Sequence, residues 1–145
     1  MTMRRIPRRG GKENPVYESR TRDIVVRVAT TYLPSKSDPI EGKHFWAYMV
    51  EIENHGAETV QLLSRHWIIT DAYNRVEEVK GAGVVGEQPT LKPRDAFRYT
   101  SGVPLNANSG TMRGNYQMLT EHGDAFDAEI PEFSLDLPGA RRVVN

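Results

Sequence analysis

The sequence contains no cysteine. A disulfide framework and a thiolate metal site are therefore both excluded, and stability must come from packing and hydrogen bonds. Long apolar runs are missing too: none approaches the roughly 20 residues a membrane-spanning helix needs, and the N-terminus lacks the apolar stretch of a signal peptide. The expectation is a soluble cytoplasmic protein with no membrane contact. No window of about 11 residues sustains a 3.6-residue period, and nothing recurs at a longer fixed spacing, which sets aside helical bundles and repeat arrays. Net charge is absent as well, with 19 basic against 19 acidic side chains.

That balance hides an asymmetry. Residues 1–23 carry Arg4, Arg5, Arg8, Arg9, Lys12, Arg20 and Arg22 against Glu13, Glu18 and Asp23, a net of +4, so the other 122 residues hold a net of −4. The larger part lacks the basic footprint of a nucleic-acid-binding domain, and no nucleic-acid partner is expected for it. With Pro7, Gly10, Gly11 and Pro15 among its charges, the stretch 1–22 reads as a disordered basic arm. Residues 23–138 read as one domain, long enough for a single core. Residues 139–145 read as a flexible tail.

What the chain does have is alternation. Seven segments of period two, separated by turn residues, fall at about 24–33, 44–54, 59–71, 75–80, 96–100, 112–120 and 125–137. In the first, Ile24, Val26, Val28, Thr30 and Tyr32 share a face; in the second, Trp46, Tyr48, Val50 and Ile52 do, and Asn54 with Gly56 suggests a hairpin into the third. The third is apolar on both sides, with Leu63, Trp67 and Ile69 on one face and Leu62 and Ile68 on the other. Pro131 in the last implies an edge or a bulge, because proline cannot donate to a ladder. Gly102 and Gly114 point to bulges or close backbone approach, and Tyr99 and Tyr116 to core rings with their hydroxyls at the rim. Seven short strands with regular turns match an all-β, immunoglobulin- or fibronectin type III-like sandwich.

Gly81, Gly83 and Gly86 stand in the G-x-G-x-x-G spacing that cradles phosphates when a helix follows. Here Glu87, Gln88 and Pro89 follow, then Pro93, and two prolines four residues apart exclude that helix. The glycines therefore read as backbone shaping, with a nucleotide- or pyrophosphate-binding loop, helped by Lys80, Lys92 or Arg94, as the alternative. A charge inside the most apolar strand draws attention to Arg65, His66 and Trp67, with Asp71 as the expected partner of Arg65. These form either a structural ion pair beside a core tryptophan or a recognition surface. His44, His55, His66 and His122 show no ligand spacing. The late acidic residues Asp124, Asp127 and Glu129 are weak candidates for a divalent cation, and a solvated edge is their commoner meaning. Ser64 or Ser101 could be set beside His66 and Asp71, but no nucleophile elbow surrounds either serine. No catalytic residue and no cofactor is expected.

Taken in order, residues 62–71 (LLSRHWIITD), 79–89 (VKGAGVVGEQP), 99–102 (YTSG), 110–116 (GTMRGNY) and 130–135 (IPEFSL) resemble the ApaG family, also called DUF525. The resemblance covers about residues 23–137. It implies a fibronectin type III-like sandwich, a bacterial cytoplasmic protein and an association with cobalt resistance and magnesium efflux, without a known reaction. The same domain occurs in eukaryotes in F-box proteins and a polymerase-delta-interacting protein, where protein binding is the suspected role. One departure is Lys92, Pro93, Arg94 and Asp95, where the family commonly has a proline-glycine turn. The leading expectation is a non-catalytic module that binds an unidentified protein, with any effect on ions indirect. Edge strands also leave room for self-association.

Overall fold

The computed structural model describes residues 15–138. Most of the expected basic arm, 1–14, and the whole of the expected tail, 139–145, lie outside the described residues. Nine strands are described: β1 Tyr17–Thr21, β2 Ile24–Tyr32, β3 His44–Asn54, β4 Val60–Asp71, β5 Val76–Ala82, β6 Thr90–Leu91, β7 Ala96–Leu105, β8 Gly110–Thr120 and β9 Ala125–Leu135. Two 3-10 turns, Pro34–Lys36 and Pro39–Glu41, lie between β2 and β3. Every ladder is antiparallel. One sheet runs β1-β2-β3-β7 and the other β5-β4-β8-β9, with β6 also on β4. No helix among the described residues is long and apolar enough to cross a membrane.

Alternation places the core as expected in β2 and β3: Ile24, Val26 and Val28 pack with Trp46, Tyr48, Val50 and Ile52 from one sheet. Leu62, Trp67, Met112, Tyr116, Met118, Ile130 and Phe133 meet them from the other. Trp46 is fully buried and donates its Nε1 proton to the Asp136 carbonyl at 2.8 Å.

Four expectations need correction. Residues 17–21, assigned to the arm, form β1 because their own alternation was overlooked: Tyr17, Ser19 and Thr21 face inward between exposed Glu18 and Arg20. Tyr17 packs on Phe133 at 6.1 Å, and Arg22 (φ 47) and Asp23 (φ 69) close the two-residue turn into β2. Secondly, β3 and β4 do not form a hairpin; Asn54 carries the chain to the other sheet, donating from Nδ2 to the carbonyls of Glu58 and Leu91. Thirdly, β4 is not two-faced. A bulge between Leu62 and Ser64 switches the parity, so Leu62 before it and Trp67 and Ile69 after it all point into the core. Lastly, β6 is an added strand of two residues. Pro131 meets both of its expected conditions, on edge strand β9 and beside the register shift opposite Met112 and Gly114.

The departure at 92–95 is a tight turn: Asp95 N–H donates to the Lys92 carbonyl at 2.9 Å, and Arg94 takes φ 75. Proline followed by a left-handed residue is the type II pattern, whose third position favours glycine. R94G is expected to raise stability by about 1 kcal/mol; urea unfolding that shows R94G no more stable than the parent would contradict it.

Candidate functional site

The glycine loop is built on β4. Strands β5 and β6 lie end to end along one edge of β4, β5 against Ser64–Thr70 and β6 against Val60 and Gln61, so residues 83–89 are an excursion from a single strand line. The β4 bulge at Leu63 faces that excursion. The Leu63 carbonyl accepts from Gly83 N–H at 2.8 Å and from Gln88 Nε2 at 2.8 Å, while Leu62 N–H donates to the Pro89 carbonyl at 3.0 Å.

At its tip, Val84 and Glu87 exchange backbone hydrogen bonds of 2.8 and 2.9 Å across Val85 and Gly86. Both central residues have positive φ, 41° and 81°, which makes a type I′ turn. Asn-Gly is the usual pair; a β-branched valine in this region is a genuine outlier and stores strain. The two valines part ways. Val84 is 1% exposed and plugs the core, whereas Val85 stands 55% exposed at the apex. Gly83 is needed at φ 63, since a Cβ there would lie 2.2 Å from the Glu87 carbonyl oxygen.

Arg65 unites the two candidate regions. It shares the inward parity of Trp67 at the open side of the sandwich, and its guanidinium crosses Gly81, whose added Cβ would meet Nη1 and Nη2 at 2.9 Å. From there Nη1 donates to the Ala82 carbonyl at 3.0 Å and the Gly83 carbonyl at 2.8 Å. The glycine at position 81 thus makes room for the brace that holds the glycine loop. Asp71 is not its partner. Asp71 pairs with Arg75 at 2.7 Å and accepts from the Tyr73 and Arg75 amides, so although partial burial raises its pKa, these bonds hold it below the ordinary aspartate value. His66 bonds Glu78 at 2.9 Å on the opposite face.

Trp67 is 2% exposed, too buried to be a surface hot spot. It stands edge-on to Tyr48, Tyr116 and Phe133, with ring centroids 5.3 to 6.5 Å away, and its Nε1 meets no acceptor among the described residues. Behind Arg65 the Tyr99 and Tyr116 hydroxyls bond each other at 2.5 Å inside the core and not at its rim. Burial pushes the hydroxyls of Tyr48, Tyr99 and Tyr116 above the usual tyrosine range, and the Arg65 charge offsets this only in part. Y99F should cost about 1–3 kcal/mol by stranding the Tyr116 hydroxyl, and Y99F/Y116F should cost less than the two single changes combined. Additive losses in a urea-melt double-mutant cycle would contradict the pairing.

The remaining candidates stay apart. Ser64 Oγ donates to Gln117 Oε1 at 2.7 Å and not to His66. His44 bonds the Tyr32 hydroxyl, His55 bonds Glu53 and His122 bonds Glu58; the Glu58 carboxylate raises the His122 pKa. Asp127 and Glu129 share the exposed face of β9 and Asp124 precedes it, but no group of three or more metal-ligating side chains gathers among the described residues. At the glycine loop, the amides of Gly83, Val84 and Glu87 donate within the protein and Arg65 is spent on carbonyls.

The ApaG domain model, DUF525, matches residues 34–120, more than half of the chain. The chain belongs to the ApaG family. Protein ApaG of Caulobacter vibrioides is 62% identical over 95% of this chain and 99% of its own length, and Protein ApaG of Xanthobacter autotrophicus is 56% identical over 90% and 100%. The crystal structure of the putative ApaA protein from Bordetella pertussis superposes with a TM-score of 0.80 at 45% identity, covering 88% of this chain and 99% of that one. The ApaG family model spans β3 to β8, which includes the Arg65 brace and the whole glycine loop. The sequence alone did not point to Val85 or the brace, and it placed Leu63 on the face of Trp67 and Ile69 where the structure puts it at the bulge that receives the loop. Their only signal was the parity conflict in β4, where apolar residues on both faces marked a bulge.

Proposed function

We propose that this ApaG-family chain is a non-catalytic protein-interaction module whose docking tip is the braced glycine loop. The observation that carries the reading is Val85: an exposed apolar side chain, held at φ 41 on a loop fixed by Val84 below and Arg65 beside it. Strain kept at an exposed apex needs a compensating use, and a rigid apolar knob binds with little ordering cost. Any influence on cobalt resistance or magnesium efflux, which the family resemblance brings with it, runs through the partner. A nucleotide on the loop would find the amides of Gly83, Val84 and Glu87 and the Arg65 guanidinium already engaged within the protein.

Co-purification from the source lysate with the tagged wild type and with Val85→Asp is the test. V85D points into solvent, leaves the core intact and suits the positive φ better than valine, so partner recovery should fall at least about tenfold with a melting temperature no lower than that of the wild type. Undiminished recovery by the folded variant would remove this tip. Pyrophosphate shifting the loop amides in NMR would favour ligand binding instead.

A further inference from the structure

Strand β5 ends its sheet, and among the described residues only β4 pairs with it. The other sheet edges are managed. β1 and β9 cover each other, with Ser19 Oγ donating to the Glu129 carbonyl at 2.5 Å and Glu129 N–H donating to Thr21 Oγ1 at 3.0 Å. On β7, Asn54 N–H donates to the Asp95 carbonyl at 3.0 Å, so odd residues face β3 and even residues face outward. Pro104 is one of those outward residues and removes a donor there. β5 has no such block.

Its free edge has a definite phase. Asp71 N–H donates to the Arg75 carbonyl and Gly83 N–H to the Leu63 carbonyl, so odd residues of β5 serve β4. The backbone groups of Val76, Glu78, Lys80 and Ala82 therefore point away from the sheet. A second antiparallel strand must meet those even residues. We propose that this strand is β5 of a second copy of the chain, joined about a two-fold axis through Val79.

Charge chooses the register. Three two-fold registers place even residues opposite even residues near the middle of β5. One sets Glu78 against Glu78, another sets Lys80 against Lys80, and like charges directly opposite destabilise a ladder. The third sets Val79 against Val79, Glu78 against Lys80 twice, and Val76 against Ala82 twice. It alone pairs opposite charges. Lys80 has no ion-pair partner among the described residues, and Glu78 has one oxygen on His66 and the other free. Apolar exposure gathers here as well: of six exposed large hydrophobic residues among those described, Val76 at 61% is in β5, and Tyr73 at 68% and Val85 at 55% lie just beyond its ends. The resulting sheet is continuous across the axis from β9 of one copy to β9 of the other, and the dimer stands independently of any partner on the loop.

Sedimentation velocity of the full chain over a dilution series tests it. The wild type should show a dimer that dissociates on dilution. Lys80→Glu and Glu78→Lys, both at exposed positions, should each weaken it at least about tenfold, because two attractive pairs become repulsive. The double variant E78K/K80E restores opposite charges and should return to within about threefold of wild type. A monomer at every concentration, a dimer indifferent to the single swaps, or a double variant as weak as the singles would each overturn the proposal. K80E and E78K leave Val85 and its loop unchanged, so partner recovery by these variants reports on the loop while their sedimentation reports on the dimer.

Discussion

Gly114→Ala is expected to destabilise the protein by about 3 kcal/mol or more, although alanine is the smallest side chain that can be added. Gly114 sits in β8 opposite Trp67 of β4, at the centre of the second sheet. A Cβ there would come within 2.1 Å of the His66 carbonyl oxygen and 3.1 Å of the Trp67 Cα. Both obstacles are backbone, so no rotamer change relieves them; β4 and β8 must part, and Trp67 and Tyr116 on those strands lose their packing. Gly86→Ala is the control. It has φ 81 but nothing within 4 Å, so its cost is conformational only, about 1–2 kcal/mol. Urea unfolding in which G114A is no worse than G86A would show that the close approach does not matter.

Arg65→Met should loosen the glycine loop while sparing the core, at a cost of about 2 kcal/mol. Two charge-assisted hydrogen bonds to the Ala82 and Gly83 carbonyls are lost, discounted because the arginine is only half-buried. Amide exchange should accelerate at residues 81–87 and stay slow in β2 and β3. Gly81 supplies a sharper check. G81A alone displaces the guanidinium and should be destabilising; in the R65M background the obstructing atoms are gone, so the same change should cost about 1 kcal/mol less. Additive effects would mean that Arg65 does not brace the loop.

Much of the sandwich was legible because its cause is local. Ile24, Val26 and Val28 alternate with polar or smaller neighbours, and Trp46, Tyr48, Val50 and Ile52 do the same, so period two alone places them inward. The overlooked β1 follows the same rule at Tyr17, Ser19 and Thr21, drowned there by the charge of its surroundings. β4 resisted because a bulge changes the phase of the alternation without changing the composition. Leu62 and Leu63 are chemically identical, yet one is fully buried and the other half-exposed.

The candidate site shows the same division more strongly. By itself, the sequence determined that Gly81, Gly83 and Gly86 open no phosphate-binding helix, because Pro89 and Pro93 forbid one, and so favoured backbone shaping over a phosphate cradle. It also marked Arg65 as a charge in need of partners. Only the tertiary structure decided that those partners are the carbonyls of Ala82 and Gly83, that Trp67 is core and not surface, and that Val85 and not Val84 meets solvent. The physical reason is that turns and alternation are set by neighbours in the chain. Which carbonyl a guanidinium reaches, and which of two adjacent valines is buried, depends on where β4 bulges and on how the strands beside it are aligned.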